Sequence, residues 1–183
     1  KGINSMSVLS ITGQELLDIV HKDVDDFSLD AGYYITDSSY AIPDCAYIKT
    51  EVYNSFTKWL KFIGLDKKPG EKQYWHRKFD CENLASLYKS YCDLLHYKTN
   101  PLSFTENSKA KKKNKSDSEG LAVGTIWYDN STAPNSNNLH AINAVITQKP
   151  GQKQLSVIYL EPNNGSQLTL TKKQKESIWY AKF

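Results

Sequence analysis

The fold of this chain is decided by the stretch Phe79-Asp80-Cys81-Glu82-Asn83-Leu84-Ala85, which opens a longer segment that reaches His96. Apolar residues recur in this segment at helical spacing, so the pattern predicts a helix that begins at Asp80 or one residue earlier. Cys81 then lies in the first turn, where unpaired backbone N–H groups and the helix dipole favour a thiolate. Acidic and amide neighbours surround this cysteine, which makes it a better candidate for a nucleophile than for a packed core residue.

Two later motifs supply an imidazole and a carboxylate, and both lie at the ends of predicted strands. They are Leu139-His140-Ala141-Ile142-Asn143 and Tyr159-Leu160-Glu161-Pro162. Alternation along the first strand places His140 at the end of an apolar stripe, and Pro162 ends the second strand directly after Glu161. We therefore predict Cys81 as nucleophile, His140 as general base and Glu161 as the group that orients the imidazole.

Other residues compete for each of these roles. His76 is an alternative base in the segment before Cys81, and Asn143 and Asn163 are alternatives to Glu161, because an amide can also orient an imidazole. An oxyanion hole needs hydrogen-bond donors beside the thiol. The Cys81 backbone N–H and the Gln73 side chain are the candidate donors.

The rest of the chain predicts an α+β fold in which N-terminal helices pack on an antiparallel sheet. A helix is predicted from Ser10 to Asp26, with a Thr12–Glu15 capping box, and another from Tyr47 to Ile63, which ends at Gly64. The strands follow in the second half of the chain: Leu121 to Tyr128, His140 to Gln148 and Leu155 to Glu161. Ile178 to Phe183 adds a short strand or helix.

Length and composition favour one domain spanning residues 1–183, with residues 1–30 as a helical extension and residues 99–120 as a flexible, lysine-rich loop insertion. The net charge of +3 is concentrated between Lys109 and Lys115, which argues against a nucleic-acid footprint and indicates a solvated loop, with anion or partner docking as the second interpretation. No apolar stretch approaches the roughly 20 residues that cross a bilayer, so we expect a soluble protein without a membrane partner.

Three cysteines, Cys45, Cys81 and Cys92, leave at least one free thiol. Their spacing matches no zinc site, so we predict no metal and no cofactor. An odd count also argues against a disulfide-stabilised extracellular protein and favours a cytoplasmic or virion-associated location.

The chain resembles a papain-like cysteine peptidase family that includes phage and bacterial proteins and the C-terminal protease domain of a mushroom agglutinin. The motifs that carry this resemblance are Phe79-Asp80-Cys81-Glu82-Asn83-Leu84-Ala85, Gly124-Thr125-Ile126-Trp127, His140-Ala141-Ile142-Asn143, Tyr159-Leu160-Glu161-Pro162-Asn163 and, upstream, Thr36-Asp37-Ser38-Ser39-Tyr40-Ala41-Ile42-Pro43. The resemblance implies a papain-like fold and a triad of Cys81, His140 and Glu161.

The sequence also departs from that family's pattern. Asn83 stands where a second acidic residue is common, Asn163 stands where glutamine is common, and Trp75 falls at the spacing of the usual oxyanion glutamine. The expected activity is hydrolysis of an amide bond, or acyl transfer, on a peptide or protein substrate. The alternatives are a non-enzymatic phage or virion structural or binding protein that retains the fold, and a cell-wall endopeptidase.

Overall fold

A computed structural model describes residues 9–24, 32–65, 80–99, 119–131, 138–148 and 154–183. The elements, in chain order, are β1 (Ser10–Thr12), α1 (Gly13–Val24), β2 (Gly32–Tyr34), β3 (Ser39–Ala41), α2 (Cys45–Tyr47), a π-helical stretch (Ile48–Val52), α3 (Tyr53–Phe62), α4 (Cys81–Thr99), β4 (Glu119–Leu121), β5 (Val123–Asp129), β6 (Leu139–Gln148), β7 (Leu155–Leu160), β8 (Gln167–Leu168), α5 (Lys172–Glu176) and β9 (Tyr180–Lys182). The predicted α+β class is confirmed.

The principal sheet has six strands in the order β2-β9-β5-β6-β7-β8. Strands β9, β5, β6, β7 and β8 pair antiparallel, as predicted, but β2 pairs parallel to β9. A second sheet joins β1, β3 and β4, and its β3–β4 pair is also parallel. The prediction of an antiparallel sheet is therefore wrong at the β2–β9 pair, and the sequence pattern predicts no second sheet. Parallel pairs join segments distant in sequence, which local patterns do not reveal.

Helices pack on both faces of the principal sheet, because the strands that they cover carry apolar side chains on both sides. On one face, Leu16 and Val20 of α1 join a buried cluster with Ile142 and Ile146 of β6. On the other face, a second buried cluster unites α3, α4 and the alternate residues of β5, β6 and β7. The described part of the predicted N-terminal extension, α1, is thus an integral part of the core.

Helix ends differ from the sequence pattern in small ways. The Thr12–Glu15 capping box is present, with the Glu15 N–H 3.2 Å from Thr12 Oγ1 and the Thr12 N–H 2.8 Å from Glu15 Oε2, but Ser10–Thr12 is a strand. The helix predicted from Tyr47 begins at Cys45 and contains the π-helical stretch, and Gly64 follows it with φ of 76°.

Several predicted features lie outside the described residues. They are Gln73, Trp75, His76, the Lys109–Lys115 run and most of the 99–120 loop, of which residues 119–120 begin strand β4. Among the described residues, no helix is both long enough and apolar enough to cross a membrane.

Candidate functional site

The first turn of α4 lies on β6, and this packing brings Cys81 to His140. The half-buried Cys81 thiol forms a hydrogen bond with the His140 imidazole and another with the backbone N–H of Ala141. Leu84 and Ala85, in the same turn, are buried, with exposed fractions of 1% and 0%. The apolar side of the turn therefore anchors the helix, and its polar end places the thiol beside the imidazole.

Glu161 completes a chain of contacts from the thiol to a carboxylate. Its Oε2 lies 2.7 Å from His140 Nε2, and the two side chains are only 23% (His140) and 13% (Glu161) exposed. Because Nε2 is engaged by Glu161, Nδ1 is the ring nitrogen that remains for the Cys81 thiol. The carboxylate therefore fixes both the tautomer and the orientation of the ring.

A tight turn after β7 holds the Glu161 carboxylate in place. The backbone N–H of Asn163 donates to Glu161 Oε1 at 3.1 Å, and the N–H of Gly165 donates to the Glu161 carbonyl at 2.8 Å. Gly165 has φ of 73°, and a Cβ at this position would lie 2.5 Å from the Tyr53 ring. Only glycine combines this backbone conformation with such close packing.

The electrostatics of Cys81 and His140 favour a thiolate–imidazolium pair. The hydrogen bond with His140 lowers the pKa of Cys81, and this effect outweighs the burial that raises it; the Ala141 N–H assists and the Asp80 carboxylate opposes the lowering. The hydrogen bonds with Cys81 and then with Glu161 raise the pKa of His140 to about 9. Both shifts move the proton from sulfur to the imidazole.

Two tyrosines that the sequence analysis missed line this site. The Tyr128 ring packs edge-on against the His140 ring at 5.9 Å between centroids, and its pKa is raised to about 12 by burial and then by Glu161 and Cys81. Burial, and then Glu161, also raise the pKa of Tyr53. Tyr128 is the cross-strand partner of His140, so the signal that would find it is strand register rather than a motif.

The two asparagines predicted as alternative orienters have other partners. Asn143 is fully buried, and its Nδ2 donates to the carbonyls of Ala85, at 2.9 Å, and Gly124, at 3.1 Å. Asn163 contacts the site through its backbone N–H on Glu161. The hydrogen bond that orients the His140 imidazole comes from the Glu161 carboxylate instead.

The other two cysteines lie apart from this arrangement. Cys92 is completely buried further along α4, and that burial raises the pKa of its thiol. Cys45, at the start of α2, is half-buried. Within the ranges that the structure describes, no three His, Cys, Asp or Glu side chains converge as metal ligands.

Comparison with known proteins identifies the fold. No family model and no curated protein matches the sequence. The chain is similar to the solved structure of a PSL1a–E64 complex, with a TM-score of 0.62 and 16% identity, covering 96% of this chain and 50% of that one. It is also similar to the Polyporus squamosus lectin bound to the human-type influenza-binding epitope Neu5Acα2-6Galβ1-4GlcNAc, with a TM-score of 0.60 and 17% identity over the same coverage of 96% and 50%.

At these identities the similarity defines the fold alone. The chain has the fold of part of a mushroom lectin, and it spans about half the length of these structures.

Proposed function

We propose that this protein is a cysteine-dependent hydrolase of the papain-like class, which cleaves amide bonds or transfers acyl groups. The observation that carries the proposal is the continuous chain of hydrogen bonds from the Cys81 thiol through the His140 imidazole to the Glu161 carboxylate. A largely buried carboxylate behind an imidazole, and a thiol in front of it, is the arrangement that activates a cysteine nucleophile.

In this mechanism the Cys81 thiolate attacks the carbonyl carbon of the substrate, and the carbonyl electrons move onto oxygen. His140, protonated by the proton that left the thiol, then donates that proton to the departing amine as the tetrahedral intermediate collapses to a thioester. Water, deprotonated by His140, attacks the thioester and releases the acid and the thiolate. Glu161 keeps the imidazole in its productive tautomer throughout.

The helix position of Cys81 also supplies part of the oxyanion hole. In a first turn, backbone N–H groups have no partner within the helix, so the Cys81 N–H is available to a developing oxyanion. The Gln73 side chain remains the proposed second donor. Removal of one such donor lowers kcat by roughly 10²–10³-fold.

One of the similar structures suggests a reagent for testing this proposal. PSL1a is described in complex with E64, and an epoxide such as E64 reacts covalently with an activated thiolate. We expect E64 to add one equivalent to this protein, on Cys81, as measured by intact-mass and peptide-mapping mass spectrometry.

Turnover is tested with a peptide library, in which the wild-type protein is compared with Cys81→Ala. We expect cleavage by the wild type alone. Adduct formation on Cys81 without turnover of any peptide or amide would contradict the hydrolase and leave an activated thiol in a binding site. Equal adducts on Cys45 and Cys92 would contradict the proposed nucleophile.

Sugar binding is the second candidate function, and it corresponds to the alternative of a binding protein that retains the fold. Its support is the sialylated epitope bound by the similar Polyporus squamosus lectin. An exposed aromatic cluster adds to this support: Trp179 and Tyr34 are 38% and 55% exposed, and Tyr34 contacts Tyr180, whose ring lies 5.3 Å from that of Trp127. Aromatic faces of this kind bind the apolar faces of sugar rings.

A single pair of variants distinguishes the two candidate functions. Binding to a glycan array that is lost in Trp179→Ala and kept in Cys81→Ala supports the sugar-binding function. Turnover that is lost in Cys81→Ala and kept in Trp179→Ala supports the hydrolase.

A further inference from the structure

Asn143 occupies the interface between the helix that carries the thiol and the strand that carries the imidazole. Its side chain is 0% exposed, and its Cα lies between Thr125 on β5 and Leu160 on β7 in the sheet register. The surrounding side chains of α4 and β6, such as Leu84 and Val145, are apolar and buried. A primary amide in such surroundings is unusual, because burying it without partners costs about 1–3 kcal/mol.

The amide nitrogen satisfies both of its donors by bonding to two other elements, whereas Oδ1 has no hydrogen-bond partner among the described residues. Nδ2 donates one hydrogen to the Ala85 carbonyl on α4, at 2.9 Å, and the other to the Gly124 carbonyl on β5, at 3.1 Å. Ala85 lies one helical turn after Cys81, and Asn143 lies three residues after His140. The Asn143–Ala85 bond therefore runs beside the Cys81–His140 contact and joins the same helix to the same strand.

Hydrogen bonds specify the position of α4 along its own axis, which apolar packing specifies only weakly. Contacts among Leu84, Tyr88 and Val145 are non-directional, so they hold α4 on the sheet but specify weakly how far the helix is shifted along its axis. Two hydrogen bonds from one rigid amide fix that shift to within a fraction of an ångström. A displacement of about 1 Å is enough to disrupt a catalytic contact.

We propose that Asn143 is a positioning residue, which holds Cys81 within hydrogen-bonding reach of His140 by tying α4 to β5 and β6. This inference rests on the proposed function. In this role Asn143 does not touch the substrate and does not orient the imidazole directly.

The test compares Asn143→Leu with Thr147→Val, a matched control on the same strand. Thr147 is also 0% exposed, and its Oγ1 donates to the Pro43 carbonyl at 2.7 Å, so each variant loses buried hydrogen bonds in a similar volume. Only Asn143→Leu removes a hydrogen bond between α4 and the sheet. The measurement is the rate of Cys81 alkylation by iodoacetamide as a function of pH, with the alkylated site identified by mass spectrometry.

We expect the midpoint of the Asn143→Leu profile to rise by about one pH unit, because a displaced thiol loses its hydrogen bond with His140. The Thr147→Val midpoint should equal that of the wild type. If Asn143→Leu does not fold, Asn143→Ser keeps one donor and should give a smaller shift in the same direction.

A wild-type midpoint well below that of an ordinary thiol, unchanged in the folded Asn143 variants, overturns the positioning role and leaves the hydrolase intact. Equal shifts in the Asn143 and Thr147 variants overturn it as well, since they indicate general destabilisation. A wild-type midpoint at the ordinary thiol value overturns both the hydrolase and the positioning role.

Discussion

Helix α4 carries two cysteines whose surroundings differ in every respect that governs thiol reactivity. Cys81 lies in the first turn, half-buried, and the hydrogen bond with His140 lowers its pKa. Cys92 lies about three turns later, completely buried, and burial raises its pKa. Identical residues on one helix thus acquire opposite tendencies, because one meets a proton acceptor at a helix end and the other meets a packed core.

The largest expected effect is on covalent labelling of these two cysteines. Cys81→Ala should abolish the E64 adduct and all turnover, because Cys81 is the thiol that forms a hydrogen bond with the His140 imidazole. Cys92→Ala should label and turn over at the wild-type rate. Intact-mass spectrometry measures the E64 adduct in both variants. An adduct that persists in Cys81→Ala would contradict the assignment of Cys81 as the reactive thiol.

Removal of the imidazole should make Cys81 behave more like an ordinary thiol. We expect His140→Ala to lower kcat/KM by roughly 10²–10⁴-fold, since the thiolate loses its hydrogen bond and the leaving amine loses its acid. His21→Ala, an exposed histidine on α1, is the matched control and should leave kcat/KM unchanged. Comparable losses in the two variants would show that the effect does not depend on the site.

The Glu161 carboxylate should contribute to the alkaline limit of activity. The raised pKa of His140, about 9, means that the imidazolium and its contribution to stability persist at neutral pH and are lost as pH rises through about 9. Glu161→Gln removes a negative charge 2.7 Å from Nε2, while the hydrogen bond with Cys81, the larger cause of the raised pKa, remains. The alkaline limb of the kcat/KM profile should therefore move to lower pH, part of the way from about 9 toward roughly 6.5. Glu176→Gln, on exposed α5, should leave the limb in place. A Glu161→Gln limb that stays near 9 would exclude Glu161 as one of the causes of the raised His140 pKa.

The smallest effect on reactivity, and the clearest on stability, concerns the buried cysteine. Cys92→Ser places a hydroxyl where the thiol is 0% exposed, and we expect it to lower the free energy of unfolding by about 1–3 kcal/mol. The pH midpoint of Cys81 alkylation should not move. Urea denaturation and the alkylation profile, measured on the same sample, separate the two properties; a shifted midpoint would mean that the two ends of α4 are coupled.

Much of the site was predictable because its residues sit at the ends of regular elements. The cysteine helix, the strand that His140 begins and the strand that Glu161 follows all have strong periodicity, and the structure brings these three side chains together. Their catalytic roles stay predictions. The parallel positions of β2 and β4 escaped prediction because such pairing joins distant segments.

What the sequence could not reveal is which side chains share an interface. Tyr128 reaches His140 through strand register, and Asn143, expected as an orienter, faces α4 instead. The first fact depends on the register of β5 on β6 and the second on how α4 lies on the sheet, and no local pattern encodes either. Gln73 and Trp75 lie outside the described residues and remain candidates for the oxyanion and substrate contacts.

The most direct test of the central claim is the pKa of the Cys81 thiol itself. The ultraviolet absorbance of the thiolate can be followed against pH in the wild-type protein, with the Cys81→Ala protein subtracted, and the titration repeated in His140→Ala. A midpoint well below the roughly 8.5 of a free cysteine, which rises in His140→Ala, is the predicted result. A midpoint at or above roughly 8.5 in the wild type would contradict a thiolate–imidazolium pair.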